Sequence, residues 1–208
     1  MSKDADETEH SMEMHLPYIY KMISRTFKSE AEYPKLVPIL VGNTNPEKEV
    51  EYGRILAPYL RDPKTVFVVS SDFCHWGSRF DYTYYLPASP SSAAVNSGGG
   101  YSLKRRDKTP TSPVIHESIA RLDKLSMDAV ETGKHAEFLK NLKDTGNTVC
   151  GRHPIGVVMA AIEEIEKSDG SLGAAGKGRF KFVRYERSSD VEDITDSSVS
   201  YASAYSVL

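Results

Sequence analysis

The sequence predicts an α/β fold of three layers: a mixed, partly parallel central sheet flanked by helices. Three observations carry that prediction. Two apolar, β-branched runs, KLVPILVGN (residues 35–43) and TVFVVSS (65–71), read as short buried strands. A stretch with helical signals separates them, and two such strands joined by a helix favour a right-handed parallel crossover. The strands are apolar throughout, as expected when both sheet faces are covered.

Each element follows from local chemistry. Met12, Leu16, Ile19, Tyr20, Ile23 and Phe27 recur at amphipathic spacing. Pro17 in that run kinks the helix or places its start near His15. Asn45 caps the second helix, with Pro46 at its first position and the end near Leu60. Asp62-Pro63 breaks the chain before TVFVVSS.

Residues 86–113 hold four prolines, three consecutive glycines and six serines. That composition predicts a disordered surface insertion. Its Lys104–Arg106 cluster fits a solvated loop better than a docking signal. Helical periodicity returns at Ile115–Val130 and His135–Leu142, where His116 and His135 read as ordinary helix-surface residues. A further helix opens at Pro154, with Val157, Val158, Ala161, Ile162 and Ile165 on one face. Residues 168–177 predict a flexible loop. RFKFVRYER (179–187) alternates like a half-exposed strand, and SVSYASAYSVL reads as the last one. The whole chain, 1–208, is expected to form a single domain.

Bulk composition excludes several classes. The chain is 39% apolar and 26% charged with net charge −3, which favours a globular protein and gives no pull toward nucleic acid. No run approaches the roughly 18 apolar residues of a membrane span, so no membrane insertion is expected. The polar start MSKDADETEH does not resemble a secretory signal. Two cysteines, Cys74 and Cys150, cannot form a disulfide framework, so the cytosol or nucleus is the expected setting.

The chemistry concentrates at two places. Asp72 and His75 follow the second strand, at the carboxyl end where parallel sheets bind ligands. A histidine beside a carboxylate suits general acid/base work; the plainer alternative is a self-capping aspartate with the imidazole packed on Trp76. Cys150 lies just upstream of a helix start, beside Arg152 and His153, where a thiolate is favoured and could ligate a metal. A small buried residue under the turn is the alternative. Cys74 is expected to point into the core. His10, Glu13, Met14 and His15 lack metalloprotease spacing and make a weaker cluster.

EHSMEMHLPY, SSDFCHWG, NTVCGRHPIGV and DSSVSYAS, in that order, resemble the Memo family (mediator of receptor-driven cell motility). The resemblance also takes in VPILVG. It implies a fold similar to the class III extradiol dioxygenases. It implies Cys150 as a metal ligand beside two histidines, with Asp72 and His75 on the same pocket wall. It further implies copper or iron in the complete fold, a redox role, and signalling through phosphotyrosine-containing partners. Family members carry roughly another third of a chain before EHSMEMHLPY, including the two histidine ligands, so the sequence is expected to be truncated and to hold metal weakly or not at all. The expected function is a signalling effector or adaptor; the alternatives are a non-haem metal-dependent oxidoreductase of extradiol type and an inactive truncated product.

Overall fold

The computed structural model describes residues 3, 9–89, 99–169 and 177–208. The chain divides into two compact units, residues 1–42 and 43–208.

In the first unit, α1 (Leu16–Thr26) carries Pro17 in its opening turn with His15 at the cap. Pro17 therefore starts the helix and does not kink it, since its missing N–H falls among donors that have no helical partner anyway. Tyr33 packs edge-on to Tyr20 with ring centroids 6.0 Å apart. Residues 35–43, expected as a strand, are not one. Leu36, Val37, Ile39 and Leu40 are exposed, and no strand among the described residues pairs with them.

Among the described residues, four α-helices and five strands of the second unit position the site. Helix α2 (Pro46–Arg61) is capped by Asn45, whose side chain accepts the Lys48 amide at 2.9 Å. It crosses α5 (Arg152–Asp169) closely. At Gly53 a Cβ would stand 2.8 Å from the Ala161 nitrogen, so only glycine lets the two backbones meet there. Between them in sequence come α3 (Ile115–Glu131) and α4 (His135–Thr145).

Strand β1 (His75–Trp76) pairs antiparallel with β5 (Ser198–Tyr205), and β5 pairs antiparallel with β4 (Lys181–Arg187), giving the order β1-β5-β4. A separate antiparallel pair joins β2 (Tyr84–Tyr85) to β3 (Tyr101–Ser102). The fold mixes helix and sheet, but the pairings among the described residues are antiparallel where a partly parallel sheet was expected. The reason lies in residues 65–71. Val66 and Val68 are exposed, at 85% and 55%, while Phe67 and Val69 are half-buried. The chain alternates like a strand but has no strand partner among the described residues. Pairing begins only past it, where the Phe73 N–H donates to the Ser200 carbonyl at 2.8 Å.

Three apolar clusters form the core of this unit. Trp76, Cys74, Tyr84, Tyr85, Ile115, Ile119 and Leu122 make the first. Ala57 packs against Val158, Ala161, Ile162 and Ile165 in the second. Phe73, Phe138, Val149, Ile155 and Met159 make the third. Trp76 is fully buried, and its indole N–H donates to the Tyr84 carbonyl at 2.9 Å, so its burial leaves no polar group unpaired.

The interval 86–113, expected to be a disordered insertion, contains packed structure on both flanks. Leu86 and Leu103 are buried, Tyr101–Ser102 forms β3, and the Tyr85 hydroxyl donates to the Pro113 carbonyl at 2.8 Å. Residues 90–98 lie outside the described residues, as do 170–176 of the expected 168–177 loop.

Candidate functional site

Two segments build the site: residues 71–76 at the head of β1, and residues 147–153 leading into α5. They run side by side. The Cys150 N–H donates to the Asp72 carbonyl at 3.1 Å. The Gly151 N–H donates to the Ser71 hydroxyl at 2.9 Å. The Thr148 hydroxyl receives the His75 N–H at 2.7 Å and donates back to the His75 carbonyl at 3.1 Å. Gly151 is required by this closeness, because a Cβ there would stand 2.5 Å from the Ser71 Cβ.

The structure thus brings Asp72, His75 and Cys150 to one corner. The Asp72 carboxylate lies 3.8 Å from His75 Nε2. His75 Nδ1 sits 3.1 Å from the Phe73 carbonyl and 3.3 Å from the Thr148 carbonyl. Carbonyl oxygens only accept, so Nδ1 carries a proton. Nε2 is the ring atom that faces the Asp72 carboxylate. The ring does not pack on Trp76, as the plainer alternative had it. It stands edge-on to Phe80, with centroids 5.1 Å apart.

The two thiols differ as the residue types around them dictate. Cys74 is fully buried, and burial pushes its thiol well above the ordinary range, with the Asp123 charge adding to the effect. Cys150 is exposed at the turn before α5, so the alternative of a small buried residue is overturned. Two clefts flank these segments: one, of about 480 Å³, is lined in part by Ser71 and Phe73, and the other, of about 370 Å³, by Thr148, Arg152 and His153; Asp72, His75 and Cys150 line neither.

Behind the corner, Asp123 on α3 holds both segments. It is fully buried and accepts from the Cys74 N–H at 3.1 Å, the Asn147 amide at 3.1 Å and the Tyr185 hydroxyl at 2.8 Å. Burial raises its pKa, while hydrogen bonds from Ser200, Asn147, Tyr185 and Cys74 pull it back. Tyr185 is raised in turn, by burial and then by the Asp123 charge.

A family model described as Memo-like protein matches residues 1–205. The chain belongs to the Memo family. It is 40% identical over 202 residues to the protein named MEMO1 in Homo sapiens, a match covering 97% of this chain and 57% of that one. It is 41% identical over 206 residues to a MEMO1 family protein of Schizosaccharomyces pombe, covering 98% and 61% respectively. The chain therefore spans less than two thirds of the length of these relatives.

Copper or iron, implied by the family resemblance, does not fit the residues present. Among the described residues no group of three or more His, Cys, Asp or Glu is arranged to hold an ion. Asp72, His75 and Cys150 offer suitable donor types without a complete ligand set. The His10, Glu13 and His15 cluster forms no such group either. No described helix is long and apolar enough to cross a membrane.

One polar cluster was missed. His135, read from the sequence as a surface residue, is buried and bonded to Glu49, which also holds His153. Sequence spacing gives no sign of it, because the three residues come from three different helices.

Proposed function

We propose that the chain acts as a Memo-family signalling effector, an adaptor in which Asp72, His75 and Cys150 form a corner flanked by two clefts. The observation that supports this reading is the Cys150-to-Asp72 backbone hydrogen bond, which joins the exposed residue Cys150 to the segment that carries the Asp72–His75 pair. The partner is a phosphotyrosine-containing protein or peptide. Arg152, exposed at the start of α5 two residues past Cys150, offers a planar donor of the kind that phosphate groups bind. No step through a metal is part of this reading. Any bound copper or iron would draw on ligands beyond Asp72, His75 and Cys150, and the redox role would then fall to the Cys150 thiol. An oxidoreductase of extradiol type has one feature in its favour, the closeness of the His75 imidazole to the Asp72 carboxylate at 3.8 Å.

The test compares phosphorylated and unphosphorylated tyrosine peptides by calorimetry against the parent chain, Arg152→Ala and the His75→Ala/Cys150→Ser pair. Preference for the phosphopeptide that weakens in all variants supports the adaptor. Equal binding of both peptides refutes it. Metal analysis of the parent and Cys150→Ser forms after loading with copper or iron separates the oxidoreductase reading, which requires metal that is lost with the thiol.

A further inference from the structure

Beneath the Cys150 turn lies a cluster that the proposed function leaves unused. Glu49, on α2, is 1% exposed. One carboxylate oxygen is 2.6 Å from His135 Nε2 and the other is 2.6 Å from His153 Nδ1. An ionised carboxylate only accepts, so both facing nitrogens donate. A buried carboxylate without such partners would cost several kcal/mol. The sequence makes room for the group: at Gly156 a Cβ would overlap the Glu49 carboxylate and stand 3.1 Å from His135 Nε2. The outer nitrogen of His153 lies 3.1 Å from the Asn43 side-chain oxygen, and the His135 N–H donates to Glu163 at 2.8 Å.

One carboxylate thus ties α2, α4 and α5 together, but its two arms end differently. The His135 arm fixes the start of α4. The His153 arm ends three residues past Cys150. The turn 150–153 is then pinned at both ends: Cys150 and Gly151 on the Asp72 carbonyl and Ser71 hydroxyl, His153 on Glu49. Ring position and tautomer of His153 follow from the carboxylate, and the direction of the turn follows from the ring.

We propose that Glu49 is a positioning residue: acting through His153, it sets the direction in which Cys150 faces the Asp72–His75 corner. This rests on the reading that Cys150 belongs to that corner, but its test does not depend on any metal or peptide being bound.

The test is native-state alkylation of the full chain with iodoacetamide, followed by mass spectrometry. Cys74, fully buried, serves as the internal control for unfolding. His153→Asn and Glu49→Gln are expected to change the Cys150 rate on the order of tenfold, the scale seen when a supporting hydrogen bond behind a functional group is removed. His135→Asn loses a comparable buried bond and melts lower, yet leaves the Cys150 rate near the parent value. Rates that change in all three variants in proportion to the melting temperature would reduce the cluster to a stability element and overturn the proposal, as would an unchanged rate in His153→Asn. Should the variants fail to fold, nitrogen-15 imidazole spectra of the parent chain decide. A proton on His153 Nδ1 and on His135 Nε2 is expected; a His153 ring without a proton on Nδ1 refutes the clamp.

Discussion

Asp123 offers the sharpest perturbation, because it anchors both segments of the site from behind. Its carboxylate accepts from the Cys74 N–H, the Asn147 amide and the Tyr185 hydroxyl. Asp123→Ala strands the Cys74 N–H and one Asn147 amide hydrogen, while the Tyr185 hydroxyl keeps the Ser200 hydroxyl at 3.1 Å. At roughly 1–1.5 kcal/mol each for a stranded buried donor, the loss is about 2–3 kcal/mol. Asp123→Asn keeps one acceptor oxygen and is expected to cost less, about 1–2 kcal/mol. The pH dependence gives a second check. Burial raises the folded-state pKa of Asp123 above its ordinary 3.8. The folded chain therefore holds a proton that the unfolded chain has already lost. Stability from this group is present below the ordinary value and falls as pH rises from there through the raised one. Asp123→Asn lacks that slope. Urea unfolding followed by the fluorescence of the single tryptophan, Trp76, measures both effects. An Asp123→Ala variant within 1 kcal/mol of the parent, or an Asp123→Asn variant with the same acid-side slope as the parent, would refute the reasoning.

Three other outcomes are expected. Trp76→Ala removes the largest fully buried side chain and should cost about 3–5 kcal/mol in denaturant unfolding; a smaller loss would show that the first cluster is not a close-packed core. Gly151→Ala forces a Cβ to within 2.5 Å of the Ser71 Cβ, which should lower stability by about 1–3 kcal/mol and alter Cys150 alkylation, whereas unchanged alkylation would contradict the tight pairing of the two segments. Val66→Lys with Val68→Lys, at two exposed positions, should stay within about 0.5 kcal/mol of the parent and raise solubility on light scattering; a large loss of stability would mean that these side chains are in fact covered.

Local signals were legible wherever the residues that make an element also satisfy it. Asn45 and Pro46 open α2 as their chemistry dictates, Pro17 places the start of α1 near His15, and the alternation in residues 179–187 becomes β4. The two apolar runs failed as strands because a strand is completed by a partner, and period-2 patterning cannot say whether one is present. Val66 to Val69 keep the alternation without the pairing. Tyr101–Ser102 failed in the opposite sense. Its flanking Gly-rich composition signals disorder, yet Tyr84 and Tyr85 supply a ladder, and the Tyr84 hydroxyl accepts the Gly100 N–H at 2.8 Å. At the site, the neighbourhood of Asp72, His75 and Cys150 came from family-like blocks more than from spacing. Glu49 and His135 stayed hidden because a buried charge is recognised by its partners, and these lie 86 residues apart.

The central claim is that the Cys150 turn lies beside the His75 segment, joined to it at Asp72. Attaching a nitroxide to Cys150, with Cys74 shielded in the core, tests it directly by paramagnetic broadening of the His75 ring signals. Strong broadening of His75, relieved on reducing the label, is the predicted result. Sharp, unaltered His75 signals in a folded, fully labelled protein would contradict the account.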